Sequence, residues 1–145
     1  MPVREDDPSI ADDEILWRRI QNIPDWIKRN EDGSFRTTSV AFLDGRTNEV
    51  SVHRAILITQ EKALEGKPDD GLVEIRAGFP RSLGQFVVYD PIQNHPTLKD
   101  DISHSLICPP QSATKGSRKS DARKMAEEAS KHWLVFPKGA RKENS

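Results

Sequence analysis

The residue pattern predicts a small α+β domain, with a mixed or mainly antiparallel sheet flanked by two or three helices. Three observations carry that prediction. Short β-branched and aromatic runs such as Phe86, Val87, Val88 and Tyr89 recur between Pro-, Gly- and Asn-rich turns, as strands do. Ala122, Met125, Ala126, Ala129 and Trp133 recur at helical spacing on one side of a charged stretch. Finally, 145 residues suit one domain, but with a hydrophobic fraction of 34% against 31% charged only the middle of the chain is dense enough to form a core.

Residues 1–11 are acidic, hold Pro2 and Pro8 and lack apolar periodicity, so they are expected to form a flexible N-terminal tail. A single domain is expected over 12–136, and a basic flexible tail over 137–145. Asp12, Asp13 and Glu14, followed by Ile15, Leu16, Trp17 and Ile20 with Arg18 and Arg19, predict a short helix, because acids suit the positive end of a helix dipole and arginines the negative end. Pro24 predicts the start of a second short helix that carries Trp26 and Ile27 to the core. The tryptophans are read as core anchors and the arginine pair as a solvated face, in preference to nucleic-acid contacts.

Asn30, Glu31, Asp32 and Gly33 form a predicted turn. Phe35, Val40 and Phe42, then Val50, Val52, Ile56 and Leu57, surround the turn-forming run Asp44, Gly45, Arg46, Thr47 and Asn48, which predicts a hairpin or strand pair with Ser51 on the alternate face. Thr59 caps a short helix through Leu64 that Gly66 ends. After the turn around Pro68, Leu72, Val73 and Ile75 begin a strand whose Glu74 and Arg76 face water, and 79–83 makes a helical turn. Residues 84–107 hold two strands on either side of a long polar connection with Asp90, His95, Asp100, Asp101 and His104. Pro109 and Pro110 end the second of these strands. Residues 111–120 read as a flexible linker or binding loop, Ser120 as the N-cap of a helix reaching His132, and 133–136 as a final strand.

The runs Trp17-Arg18-Arg19-Ile20, Ser39-Val40-Ala41-Phe42 with Asp44, Ser51-Val52, Gly84-Gln85 and Asp90-Pro91 resemble those of a type of small, uncharacterised bacterial cytosolic protein. The resemblance spans most of residues 14–135. It implies a bacterial cytosolic origin and carries no activity, cofactor or catalytic residue.

Charge is laid out unevenly. Residues 1–14 hold six acids against Arg4, a net of −5, whereas residues 115–145 hold nine basic residues against four acids, a net of +5, in a chain whose total is −1. Such segregation lets the two ends attract each other or offers one of them to an oppositely charged partner. The lone cysteine, Cys108, cannot close an internal disulfide, and no run is long enough for a membrane span or shaped as a signal peptide. The expected location is the cytoplasm.

Lys115, Ser117, Arg118 and Lys119 are the candidate ligand-binding residues, since unpaired amides, a glycine and cationic side chains ahead of a helix attract anions. The run is not a nucleotide-binding P-loop, because Gln111 stands where its first glycine is required and Ser117 where its lysine is. His104 is the candidate catalytic residue, an acid or base for an anion held by Lys115 and Arg118 if the basic run folds back towards it, with Asp90, Asp100 or Asp101 orienting the ring. His95, between Asn94 and Pro96, reads as a turn residue. No compact metal-ligand spacing is present, so no metal or other cofactor is expected. The function expected is a non-catalytic binding or accessory protein that contacts a protein partner or a phosphate-containing ligand through its basic C-terminal region. Nucleic acid is a less favoured partner, and a small enzyme on a nucleotide or other phosphorylated substrate is the alternative.

Overall fold

The computed structural model describes residues 4–43 and 48–138. Eight strands and three helices are arranged in chain order as β1 (Ile15–Ile20), β2 (Ile27–Arg29), β3 (Phe35–Thr37), β4 (Val50–Arg54), α1 (Gln60–Ala63), β5 (Gly71–Arg76), α2 (Gly78–Ser82), β6 (Phe86–Tyr89), β7 (His104–Cys108), α3 (Lys115–Ala129) and β8 (Trp133–Val135). Six strands form one sheet in the order β6-β7-β4-β1-β5-β8, and β2 pairs with β3 in a second, two-stranded sheet. All the pairings are antiparallel. This is the α+β domain with a mainly antiparallel sheet that the pattern predicts.

The largest departure is at the centre of that sheet. The expected N-terminal helix is the strand β1, paired with β4 on one side and with β5 along its whole length on the other. Leu16 and Ile20 are fully buried, and Arg18 lies between them at the same two-residue period. Arg18 tolerates that face because its guanidinium donates to the carbonyls of Ala41 at 2.8 Å and Ser51 at 2.8 Å, and stacks 5.1 Å from the Trp26 ring. An arginine on the inward face made a period of two look like a solvated helix. The acids that were to meet a helix dipole bind cations instead: Glu14 grips Arg54 at 2.6 and 2.8 Å, and Asp12 meets Arg81 at 2.8 Å.

The predicted second helix is also a strand. After a turn at Pro24, β2 pairs with β3 through Ile27 opposite Thr37 and Arg29 opposite Phe35. The predicted turn closes this hairpin, with Gly33 at φ 89°. The hairpin expected across residues 35–57 does not form, since β3 and β4 belong to different sheets. Between them Ser39–Phe42 makes a 3-10 turn that buries Ala41 and Phe42. Of the turn expected there, Asp44, Gly45, Arg46 and Thr47 lie outside the described residues.

The inward face of the large sheet carries Val50, Val52, Val73, Ile75, Val87 and Ile107, and α3 packs Ala122, Met125, Ala126 and Ala129 into the same cluster. The core also reaches further towards the N-terminus than Asp12. Ile10 is fully buried, the Asp7 amide donates to the Val87 carbonyl at 2.8 Å, and the Asp6 carboxylate accepts from the Val87 amide at 2.8 Å. The 4–11 segment thus occupies the outer edge of β6, where a flexible tail was expected, because its one large apolar residue and its acids find Ile10's pocket and Arg81. At the other end Pro137 is buried and the Lys138 amide donates to the Asp69 carbonyl at 3.0 Å. The rest of the expected basic tail, 139–145, lies outside the described residues.

Several local predictions match. Thr59 caps α1 by accepting from the Lys62 amide at 3.1 Å, and Gly66 follows at φ 78°. Strands β5, β6 and β7 and helix α2 stand where expected. Helix α3 begins earlier than expected. Thr114, not Ser120, is its N-cap, and the expected flexible loop over 111–120 is in part its first turns. Solvated turns need no apolar residue, so an apolar stripe beginning at Ala122 marks where the helix meets the core, not where it starts.

Candidate functional site

The face of the sheet opposite α3 is the more chemical one. In β4 and β7, Ser51 stands opposite Leu106 and His53 opposite His104. One step beyond the Tyr89–Ser105 pair, the Asp90 amide donates to the His104 carbonyl at 3.0 Å, which sets Asp90 beside His104 at the end of β6. Three neighbouring strands therefore bring Ser51, His104 and Asp90 to one place, since a diagonal neighbour on one sheet face lies within reach of a ring.

His104 Nδ1 lies 2.8 Å from the Asp90 carbonyl oxygen and 3.3 Å from its Oδ2. Both groups are acceptors, so Nδ1 carries a ring proton, and in the neutral imidazole this leaves the lone pair on Nε2. Nε2 lies 3.2 Å from Ser51 Oγ, which in this tautomer donates to it. The imidazole is 15% exposed, whereas Ser51 is open to solvent.

His53, not singled out in the sequence, forms a second cluster beside the first. Its Nδ1 lies 2.8 Å from Ser103 Oγ and 3.1 Å from Asp101 Oδ2, and Ser103 Oγ donates to Asp101 Oδ1 at 2.5 Å. Burial pushes the imidazole below its ordinary value, and the nearby Arg19 and Arg18 push the same way, while Asp101 pulls it back up. Alternation along β4 puts Ser51 and His53 on one face, but nothing in the sequence says that the strand opposite would bring His104.

The connection between β6 and β7 folds over this face, bridged by Ile92 and Asp101. Two hollows flank it. One of about 440 Å³ is lined by Ser51, Asp90 and His104, with Arg4 at one end and Ile92, Leu98 and Leu106 on its wall. The other, of about 270 Å³, holds His53, Asp101 and Lys62. His95 has the turn role expected of it, its Nδ1 accepting from the amides of Thr97 at 3.1 Å and Leu98 at 3.0 Å. Lys99 ties the connection to Glu65, two residues past the end of α1, whose carboxyl is pushed down to about 2 by Lys62 and Lys99.

The basic residues sit elsewhere. Lys115, Ser117 and Lys119 are exposed on the first turns of α3, and none of them lines the His104 hollow. Ser117 is engaged in a capping box: its amide donates to Thr114 Oγ1 at 3.0 Å, and its own Oγ accepts from the Thr114 amide at 2.9 Å. Arg118 lines a hollow of about 240 Å³ with Cys108, Pro109, Arg4 and Glu49. Arg4 and Glu49, joined at 2.8 Å, form the partition between that hollow and the one holding His104. The basic run therefore does not fold back onto His104.

Cys108 is buried. Burial, with help from Glu49 at 3.6 Å, pushes its thiol up to about 12. Among the described residues, no group of three or more His, Cys, Asp and Glu side chains is placed to hold a metal ion, and no helix is long and apolar enough to cross a membrane. No protein family, curated protein or solved structure matches the chain.

Proposed function

We propose that the chain works as a binding or accessory protein of the bacterial cytosol, which contacts an acidic protein partner or a phosphate-containing ligand through its basic C-terminal region. One observation carries this reading. Three of the six N-terminal acids are engaged away from the basic end: Asp6 and Asp12 with Arg81 at 3.0 and 2.8 Å, and Glu14 with Arg54. Lys115, Lys119 and Lys124 are left exposed on α3 with no ion pair among the described residues. Segregated charge that is not cancelled within the fold is available to a partner, and an open helix surface suits a macromolecule better than a small molecule.

The test replaces Lys115, Arg118 and Lys119 together by glutamate and titrates wild type and variant with a fluorescent polyglutamate peptide and with inorganic tripolyphosphate. Binding that weakens at least about tenfold in the variant, and that falls with added salt, is expected. Equal binding by both proteins removes the reading. The alternative, His104 acting on a phosphorylated substrate held by Lys115 and Arg118, draws no support from where those two residues lie.

A further inference from the structure

The structure points to a second activity on the other face of the sheet: we propose that Ser51, His104 and Asp90 form a hydrolytic site for small, uncharged carboxylic esters. The proposal stands apart from the α3 reading and uses none of its residues.

A serine hydroxyl becomes a nucleophile when a neutral imidazole nitrogen accepts its proton and a third group holds the ring in the right tautomer. All three conditions are present. Ser51 Oγ lies 3.2 Å from His104 Nε2, and His104 Nδ1 is held at 2.8 Å by the Asp90 carbonyl and at 3.3 Å by its carboxylate. The parts come from three adjacent strands in fixed register, so the geometry rests on rigid elements. Ser51 is exposed at the floor of the hollow of about 440 Å³, where a substrate can reach it.

The same walls choose the substrate. Arg4 faces the hollow but is compensated by Glu49 at 2.8 Å and Asp90 at 3.8 Å, so no net positive charge awaits an anion. Ile92, Leu98 and Leu106 offer an apolar surface sized for a short acyl chain. Attack proceeds with Ser51 Oγ bonding to the ester carbonyl carbon while His104 Nε2 takes the hydroxyl proton. The carbonyl oxygen gains negative charge, and the donor-bearing side chains that line the hollow beside the triad are Arg4, Gln93 and His95. Collapse breaks the bond to the alkoxy group, which leaves as the alcohol with the proton from His104. Water then attacks the acyl carbon with His104 again accepting the proton, the Ser51 Oγ–acyl bond breaks as His104 returns that proton to Oγ, and the carboxylic acid departs with Ser51 restored.

Asp90 is a positioning residue in this scheme, and its carboxylate also favours the transient imidazolium. The test treats the full chain with a biotinylated fluorophosphonate, which phosphonylates only activated serines, and follows p-nitrophenyl acetate and butyrate hydrolysis against pH. We expect one adduct, mapped to Ser51 by peptide mass spectrometry, and hydrolysis that rises with pH through the imidazole range. Ser51→Ala should abolish the adduct, and His104→Gln should slow labelling and turnover by on the order of a hundredfold or more. Asp90→Asn should slow turnover and move the pH midpoint down, because the imidazolium loses its counter-charge; a purely structural role would leave the midpoint unchanged. Ser51 is exposed, so Ser51→Ala keeps the fold, which circular dichroism verifies. Absence of an adduct on the folded wild type, or an adduct and esterase rate unchanged in Ser51→Ala, overturns the proposal.

Discussion

Replacing Glu14 by alanine should remove about a third of what holds an ordinary domain of this size together. Glu14 precedes β1 and clasps Arg54 at the end of β4 with two short contacts, 2.6 and 2.8 Å, while the Arg54 guanidinium also stacks 4.8 Å from the Tyr89 ring. The two side chains are only 13% and 10% exposed, so Glu14→Ala leaves a mostly buried cation without its counter-charge. Breaking a buried pair from one side costs ~3–5 kcal/mol, and the remaining water contact puts this case near ~3 kcal/mol. With a urea dependence of ~2 kcal/mol per molar, the unfolding midpoint should fall by ~1.5 M. The assay is equilibrium urea denaturation followed by tryptophan fluorescence on wild type, Glu14→Ala, Arg54→Met and the double variant. The double variant should be more stable than the sum of the two losses implies, by ~2 kcal/mol, because it buries no orphaned charge. A midpoint shift under ~0.5 M in Glu14→Ala, or strict additivity of the two single changes, would refute the argument that this contact is a desolvated pair.

Two further outcomes are expected. His53 has a depressed value in the folded state, so its contribution to stability is complete above the ordinary imidazole value of ~6.5 and is lost as pH falls through the lower folded value. Urea stability measured from about pH 7.5 to 5 should fall in wild type and fall less in His53→Gln, and an NMR midpoint for His53 at or above the ordinary value would contradict the burial account. Gly71→Ala places a Cβ 2.8 Å from Pro137 and from the Trp133 ring, whereas Gly84→Ala meets no atom within 4 Å and bears only its φ of 85°. Thermal denaturation should therefore show Gly71→Ala losing ~2–3 kcal/mol and Gly84→Ala about 1 kcal/mol, and equal losses would mean that the C-terminal strand packs less closely than described.

The strands from β5 to β7 were legible because each is a short apolar run between turn residues, and α3 because its alanines and methionine keep helical spacing. Strand β1 was not legible, since Arg18 sits on its buried side and only the carbonyls of Ala41 and Ser51, distant in sequence, make that tolerable. The same reason hid the β2–β3 hairpin, whose Thr37 is buried because its hydroxyl donates to the Trp26 carbonyl at 2.9 Å. At the candidate site, His104 and Asp90 could be named because they flank one connection. Ser51 and His53 could be placed on the outward face of a strand, but their meeting with His104 depends on the order of strands in the sheet. Strand order is a long-range property that period and propensity do not encode.

The position of β1 has a consequence for how the chain reaches this state. Strand β1 lies at the middle of the large sheet but precedes both of its partners in the chain, so it cannot be flanked on both sides until β5 has followed it. A nascent chain ending before residue 71 therefore holds its future central strand with one side unclaimed, exposed to pairing with other chains. Assembly of the sheet waits on partners far along the chain, which places this domain among the slower folders, in the millisecond-to-second range, despite its small size. The acids just ahead of β1 and the arginines within it protect that waiting strand, since charge along an unpaired edge discourages wrong partners as well as favouring the right ones.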